Sequence, residues 1–392
     1  MRTISCTLLV LSATLVTARL LAQDTTTAGR LPPATVPGGV YDKPGLTGLG
    51  ARTSIGGYAE AHIRHERIDG VTTETTFEAK RFNLFTSTRV SDFVRIAAEL
   101  EFEEGGDEVR LEFAAIDVAV HPALAFRAGM ILSPLGRFNL SHDSPRNEFT
   151  DRPRVSTEIL GVALSEAGAG ILGLFGVGRA SRLTYELYAV NGFHDGLITN
   201  SPEGTRIPLG RRNFSDNNNS PAFVGRVAYS PRRGVEAGIS AHHGAYNVYR
   251  VDGIKVDERR NLSILVADVE VTAAGFRMVG EAATAKIDIP SGLQGLYASR
   301  QRGLYVELLR PFGHGWVRTM PQSNFAAKIR IDVVDFDVAL PGDSERQVTL
   351  GLNFRPTSES VIKLDYVRGW SRDRFNNRAD IARFLMSIAT YF

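Results

Sequence analysis

The sequence predicts an all-β fold, a transmembrane antiparallel β-barrel of about 16 strands that occupies residues 54–392. Three observations predict it. Apolar and polar residues alternate in short segments, long and tight connections alternate along the chain, and the last segment ends on an aromatic residue. Because no segment has the roughly 18 consecutive apolar residues of a membrane helix, strands are the elements expected to cross a membrane.

The alternation is clear in residues 93–104, where Ile96 and Leu100 share one face and Arg95 and Glu99 share the other. A period of two suits a sheet that has lipid on one side and water on the other. The predicted strands are 54–66, 75–90, 93–104, 108–121, 124–136, 166–178, 182–193, 221–230, 235–247, 259–273, 276–288, 301–310, 324–337, 346–357, 360–371 and 383–392.

The connections between these strands differ in length according to their order. Most even-numbered connections are tight, and the odd-numbered ones tend to be long and polar: 137–165, 194–220, 248–258, 289–300 and 372–382. Outer-membrane barrels have long outer loops and short periplasmic turns, so residues 137–165 are predicted to form the third outer loop. The even connection 311–323 is long and departs from the pattern.

The two ends of the chain indicate a compartment. Residues 1–22 are typical of a signal peptide, with Arg2 before a short apolar run and Ala22 near the expected cleavage site. A transmembrane anchor is less favoured because the run is short and Arg19 interrupts it. Phe384, Met386, Ile388 and Phe392 share one face of the last segment, and an amphipathic strand that ends on an aromatic residue resembles the C-terminal signature of outer-membrane proteins.

Residues 23–53, rich in Thr, Pro and Gly, are predicted to be a flexible lead-in without a packed role. The only cysteine is Cys6, inside the predicted signal peptide, so neither a disulfide nor a thiol nucleophile is expected in the rest. Residues 1–22 hold two of the 45 Lys and Arg residues and no acid, so the remainder carries 43 charges of each sign. This balance argues against nucleic acid as a partner.

Basic residues are the candidate site. Four arginines of the loop are predicted to lie at a pore constriction: Arg137, Arg146, Arg152 and Arg154. Seven basic residues fall on the predicted lumen face: Arg81, Arg95, Arg226, Lys328, Arg330, Arg355 and Lys363. Fixed cations in a narrow pore attract anions. Since Glu60, Glu99, Asp332 and other acids are also predicted to face inward, the alternative is that lumen charges only keep the interior wet.

Three further motifs favour ordinary structural roles. Ser141-His142-Asp143 contains the residue types of a hydrolase triad, but three consecutive residues do not easily form the required chain of contacts, which favours a polar turn. The run Gly168 to Gly173 has the letters of a dinucleotide fingerprint but lacks a following helix. The pairs His242-His243 and His62 with His65 fall on opposite strand faces, so neither a metal site nor a cofactor is predicted.

Two runs resemble a known family. Residues 82–104, with Arg89-Val-Ser-Asp92, and the run Arg127 to Asn139 followed by Asn147 to Pro153, are similar to the phosphate-selective porin O and P family. The resemblance extends from about Gly57 to Phe392 and implies a 16-stranded outer-membrane barrel, commonly a trimer, with an inward-folded third outer loop. The arginine ladder and lysine cluster of the phosphate-specific members have no matching residues here, so the resemblance does not carry phosphate specificity.

These observations lead to one main hypothesis of function and two alternatives. The main hypothesis is an outer-membrane porin, without a chemical step, that passes small hydrophilic solutes or ions. The basic residues favour a preference for anions such as phosphate, and the inward acids favour the alternative of no strong preference. The alternatives are an outer-membrane barrel hydrolase and a non-conducting structural or adhesive barrel with a plugged lumen.

Overall fold

A computed structural model describes residues 35–36, 39, 41–43, 46–48, 52–177, 180–200, 204–211 and 214–392. The predicted signal peptide lies outside these residues. Sixteen long strands form one sheet: β1 Thr53–Ile68, β2 Val71–Arg89, β3 Val94–Glu103, β4 Glu108–His121, β5 Leu124–Leu132, β6 Ser165–Gly176, β7 Arg182–Val190, β8 Ala222–Arg232, β9 Val235–Ala245, β10 Asn261–Ala273, β11 Phe276–Ile287, β12 Arg300–Phe312, β13 Asn324–Asp335, β14 Ser344–Arg355, β15 Ser360–Arg372 and β16 Arg378–Tyr391.

The sheet closes on itself. Each strand pairs antiparallel with its neighbours in sequence, and β16 pairs with β1 from Ile381 opposite Ile68 to Tyr391 opposite Tyr58. A closed barrel satisfies the backbone hydrogen bonds of every strand and leaves no free edge. The predicted closed antiparallel barrel is therefore confirmed. No described helix is long and apolar enough to cross a membrane.

The predicted alternation holds in the folded barrel. On β3, Ile96 and Leu100 face outward with exposed fractions of 40 % and 41 %, whereas Glu99 and Glu101 face inward and are buried. At the other end of the chain, Phe384 and Ile388 of β16 are also exposed on the outside. The exterior of the strands is thus an apolar band, and many charged side chains of the strands lie inside.

The larger differences between observed and predicted strand boundaries occur in three places. β5 ends at Leu132 instead of residue 136, since Pro134 has no N–H to continue the ladder. β16 begins at Arg378 instead of residue 383. The first connection is a tight turn at Asp69 and Gly70, both at positive φ, because β1 and β2 extend further than predicted.

Small elements occur at the ends of the barrel. A two-residue strand, Thr47–Gly48, pairs with the start of β1, and Arg250–Val251 pairs with Ile254–Lys255 in an outer loop. The helical pieces are Glu104–Gly106, Ser156–Leu160, Gly196–Thr199, Ile207–Gly210 and Ser291–Leu293. The long connection after β12 is present, with Trp316 70 % exposed beside Phe312 and Phe325.

Residues of the segment 23–53 that the structure describes have a packed role, so the prediction of a flexible lead-in was wrong for them. Tyr41 lies inside the barrel, with its ring 4.9 Å from that of Phe113 and 3.6 Å from the guanidinium carbon of Arg127. The ammonium of Lys43 binds Asp143 at 2.6 Å and Glu99 at 2.9 Å. Tyr41 and Lys43 therefore pack in the lumen, because the barrel interior supplies carboxylates and aromatic rings as partners. The Thr, Pro and Gly content of the segment does not reveal these partners.

Candidate pore and constriction loop

The connection between β5 and β6, residues 133–164, folds into the lumen as predicted. Many of its residues are buried, among them Leu135, Phe149 and Ile159. Gly136 N donates to Ser240 Oγ of β9 (2.8 Å), whereas Thr150 N donates to Asp365 Oδ2 of β15 (2.8 Å). The loop thus touches opposite walls and crosses the barrel; we call residues 133–164 the constriction loop.

Basic side chains of β13, β14 and β15 hold the middle of the constriction loop by its backbone carbonyls. The pairs are Lys363 Nζ with Ser144 O (2.9 Å), Arg355 Nη1 with Pro145 O (3.0 Å), Arg330 Nη1 with Asp151 O (2.9 Å), and Lys328 Nζ with Glu148 O. Hydrogen bonds from charged donors are about twice as strong as neutral ones. The cations predicted to face the lumen therefore fix this loop to one wall.

Each of the seven residues predicted to face the lumen points inward, and each also contacts a carboxylate. The partners are Glu103 for Arg81, Asp117 for Arg95, Asp268 for Arg226, Asp365 for Lys328, Asp332 for Arg330, Glu148 for Arg355 and Glu60 for Lys363. Because these charges are neutralised locally, the interior wall is a network of ion pairs rather than a ladder of free cations.

The four arginines predicted to lie at a pore constriction divide between the two sides of the loop. Arg137 binds Glu236 at 2.8 Å, close to the short-turn end of β9, and Arg146 lines the same region. Arg154 binds Glu345 at 2.6 Å near the outer end of β14, and Arg152 lies 4.0 Å from Glu101 near the outer end of β3. The structure thus distributes them over both sides of the loop and does not gather them into one ring.

A cavity of about 750 Å³ opens on the short-turn side of the constriction loop. We call it the vestibule. Its charged lining consists of seven arginines and five glutamates: Arg137, Arg146, Arg182, Arg232, Arg233, Arg277, Arg355, Glu148, Glu236, Glu270, Glu307 and Glu359. Among the described residues no ion pair involves Arg146, Arg232 or Arg233. The vestibule therefore carries a net positive charge of two.

On the outer side of the loop, charged residues are partly exposed along β1, β2 and β14. Arg64 binds Asp151 at 2.7 Å with side-chain exposures of 17 % and 21 %, and Arg154 binds Glu158 at 3.0 Å with exposures of 25 % and 29 %. Partial exposure of paired charges indicates that water reaches this wall from outside.

The opposite part of the outer half is apolar, which the sequence did not predict. Val155, Ile159 and Leu160 of the loop pack on inward-facing residues of β7–β13 and on residues 193–207 of the following outer connection. The wall residues include Val190, Val224, Leu262, Ile264, Val266, Ala283, Ala285, Ile287 and Val334. We call this cluster the apolar core. The signal for it was in β10, where Leu262 to Val266 carries apolar residues on both faces.

The Ser141-His142-Asp143 run has no triad geometry. The His142 ring is fully buried, with Nδ1 2.8 Å from Asn139 O and Nε2 2.7 Å from Glu112. Asp143 instead binds Lys43 and accepts from Tyr391 Oη at 2.9 Å. Burial, with repulsion by Arg152, lowers the pKa of His142 to about 4. The run holds the loop in place.

The other motifs also have structural roles. His242 is buried against Glu166 at 3.1 Å, whereas His243 is exposed and binds Ser263, so the two face opposite ways as expected. A Cβ atom at Gly170 would lie 2.0 Å from the carbonyl oxygen of Leu187, so this glycine permits close strand contact. No group of His, Cys, Asp and Glu in the described ranges has the arrangement of a metal site.

Comparison with known proteins supports the fold. No protein-family profile matches the sequence. An uncharacterised protein of Aquifex aeolicus (strain VF5) is 24 % identical over 355 residues, which cover 83 % of this chain and 77 % of that protein.

Among solved structures, an anion-selective porin from Comamonas acidovorans is similar with a TM-score of 0.57 and 10 % identity, over 87 % of this chain and 99 % of that chain. The trimer form of OmpT, an outer membrane protein of Vibrio cholerae, matches with a TM-score of 0.52 and 10 % identity, over 87 % and 100 %. The chain has the porin fold. Its resemblance to the phosphate-selective porin O and P family stays a prediction.

Proposed function

We propose that the protein is an outer-membrane porin through which small hydrophilic solutes or ions diffuse passively. The observation that carries this proposal is the vestibule, a charged cavity inside a closed barrel with an apolar exterior. A barrel of 16 strands is wide enough to leave an aqueous channel, and an inward loop then sets how narrow the channel becomes. Transport down a gradient needs no catalytic residue.

The vestibule supports a preference for anions. Arg146, Arg232 and Arg233 line it and form no ion pair with another described residue. Their field is not cancelled by a neighbouring carboxylate, unlike that of Arg355, which binds Glu148 at 3.0 Å. Uncompensated cations in a confined cavity raise the local concentration of anions. Phosphate is one such anion, although no residue of the vestibule distinguishes it from others.

The setting of the channel follows from the same proposal. The exposed apolar band of the strands suits lipid, and the signal peptide predicted over residues 1–22 suits export to the outer membrane of a bacterial cell. A homotrimer is proposed because a similar structure is described in a trimer form. The balanced net charge supports no role in nucleic-acid binding.

Single-channel recordings in planar bilayers test the proposal. We expect discrete conductance steps and, in a KCl gradient, a reversal potential that reports anion preference. The matched variant Arg146→Gln removes one unpaired charge of the vestibule, and Arg250→Gln removes an exposed charge of an outer loop as the control. Cation preference in the unchanged protein would contradict the proposed selectivity but not the channel.

A non-conducting, plugged barrel is the second candidate. The apolar core fills part of the outer lumen. Tyr41 and Lys43 occupy another part of the lumen, beside Phe113 and Glu99. If no conductance steps occur in protein that has inserted and that resists proteolysis, the plugged barrel is correct and the porin proposal is overturned.

A further inference from the structure

The outward face of β9–β12 carries a row of basic and polar residues at its outer end. The register places His243 opposite Ser263, Ser263 opposite Lys286, and Lys286 opposite Arg300. All four point away from the lumen, because their neighbours His242, Leu262, Ile287 and Gln301 are buried inside. The row therefore lies on the surface that faces lipid in the proposed membrane location.

Two like charges are adjacent without an opposite charge to separate them. Directly opposed residues of an antiparallel pair have Cβ atoms about 5 Å apart, and like charges at that distance destabilise the sheet. Lys286 and Arg300 are both exposed, and neither forms an ion pair with a carboxylate of the described chain. Arg302, one row lower, does bind Asp335 at 3.1 Å. The arrangement calls for an external anion at Lys286 and Arg300.

The height of this row matches a lipid headgroup. The outward residues of β12 from Arg302 to Arg310 are basic at both ends and apolar between, with Leu304, Val306 and Leu308. From Phe276 to Lys286, ten residues of β11 at about 3.4 Å each, tilted by about 40°, rise about 26 Å. This equals the roughly 25 Å height of the apolar band of outer-membrane barrels. Lys286 is thus at the outer interface when Phe276 is at the inner one.

A groove lies immediately below the charges. It has a volume of about 310 Å³ and is lined by Ala241, His243, Ser263, Leu265, Thr284 and Lys286. The side chains at its floor are small or apolar, and the hydroxyl of Ser263 accepts from or donates to His243 Nδ1 at 2.8 Å. The combination of a cationic rim and a narrow apolar groove suits a phosphate group attached to an acyl chain.

We propose that this surface binds a phosphorylated glycolipid of the outer leaflet, with the phosphate between Lys286 and Arg300 and an acyl chain along the groove. The proposal rests on the outer-membrane location in the proposed function but not on conduction. A second copy of the chain fits less well, because a symmetric contact here would bring further positive charges to the row. Free phosphate could meet the charges but would leave the groove unused.

Native mass spectrometry of the full-length protein in detergent tests this proposal, with bisphosphorylated lipid A as the probe and phosphatidylethanolamine as the comparison lipid. We expect lipid A to bind preferentially. The double variant Lys286→Gln and Arg300→Gln should bind it more weakly by on the order of tenfold, since each surface cation near a headgroup contributes a several-fold effect. Lys255→Gln, an exposed outer-loop variant, should bind as the unchanged protein does.

Equal binding by all variants would overturn the proposal. Binding of millimolar inorganic phosphate without any binding of lipid A would overturn it in favour of a free anion. Disulfide cross-linking of an Ala282→Cys variant in lipid-free protein would overturn it in favour of a second copy. Because none of these readouts uses conductance, a barrel that conducts but binds no lipid A contradicts only this inference, and a barrel that binds it but does not conduct contradicts only the porin proposal.

Discussion

The two ends of the lumen are built from different side chains on the same alternating strands. At the short-turn end, arginines and glutamates surround the vestibule of about 750 Å³, whereas at the outer end the inward residues of β7–β13 form the apolar core. Charged side chains need water or opposite charges as partners, so a wall lined by them leaves an open cavity. Apolar side chains lower the free energy by packing together and excluding water, so they fill the lumen. In the proposed channel, this difference leaves the charged wall of β1, β2 and β14 as the route through the outer half.

The largest expected effect comes from breaking a buried ion pair that holds the loop. Lys328 binds Asp365 at 2.7 Å, and both side chains are almost fully buried. Lys328→Met leaves the carboxylate unpaired and should lower the free energy of unfolding by about 3–5 kcal/mol. Urea unfolding in detergent measures this. Lys255→Met, from an exposed pair with Glu258, should change it by less than about 1 kcal/mol, and equal losses would show that burial is not the cause.

A second stability prediction compares the apolar core with the vestibule directly. Ile264 is 2 % exposed in the core, so Ile264→Ala should cost about 2–5 kcal/mol through lost burial and a residual cavity. Arg232→Ala, at the exposed rim of the vestibule, should stay within about 0.5 kcal/mol. The same urea titration compares both variants. A small loss at Ile264 would mean that the core is loosely packed and open to water.

A smaller prediction concerns selectivity on the two sides of the loop. Removing one unpaired charge at about 7 Å from a permeating ion in a water-like medium changes its energy by about 0.6 kcal/mol, a factor of about three. The anion loses this attraction and the cation loses an equal repulsion, so Arg146→Gln should lower the anion-to-cation permeability ratio by about sevenfold. Arg152→Gln, on the outer side near Glu101, should have a weaker effect. Reversal potentials in a salt gradient compare the two variants. A larger effect of Arg152→Gln than of Arg146→Gln would place the selective region on the outer side of the loop.

The smallest effect is a change in the pH dependence of stability, which is separate from the stability lost when the buried Lys43–Asp143 pair is broken. Burial alone would raise the pKa of Asp143, but the ammonium of Lys43 outweighs it, so the pKa of Asp143 lies below its ordinary value of 3.8. A carboxyl whose pKa is lowered by folding stabilises the protein above pH 3.8, and that stabilisation is lost as the pH falls further. Asp143→Asn should remove this part of the pH dependence in unfolding titrations between pH 6 and pH 2, whereas Asp107→Asn, in an exposed turn, should retain it.

The sequence predicted the barrel well because the relevant signal is local. Alternation within β3 is sufficient to assign its faces, and the length of the segment after β5 is sufficient to predict an outer loop. The contacts of the candidate site were harder to predict, because they join residues that are far apart in the sequence. Glu236 is 99 residues from Arg137, and no local pattern shows that it neutralises that arginine. The apolar core could not be predicted locally, because apolar residues on both faces of β10 do not show whether the inner ones face water or a packed loop.

Thiol modification during single-channel recording tests most directly whether solutes pass the vestibule and avoid the apolar core. The chain has one cysteine, Cys6, in the predicted signal peptide, so an introduced cysteine gives an unambiguous signal. We predict that a negatively charged methanethiosulfonate reagent reduces the current of Arg146→Cys channels and leaves that of Ala283→Cys channels unchanged, because Ala283 is buried in the core. A reduced current at position 283 together with an unchanged current at position 146 would contradict the account.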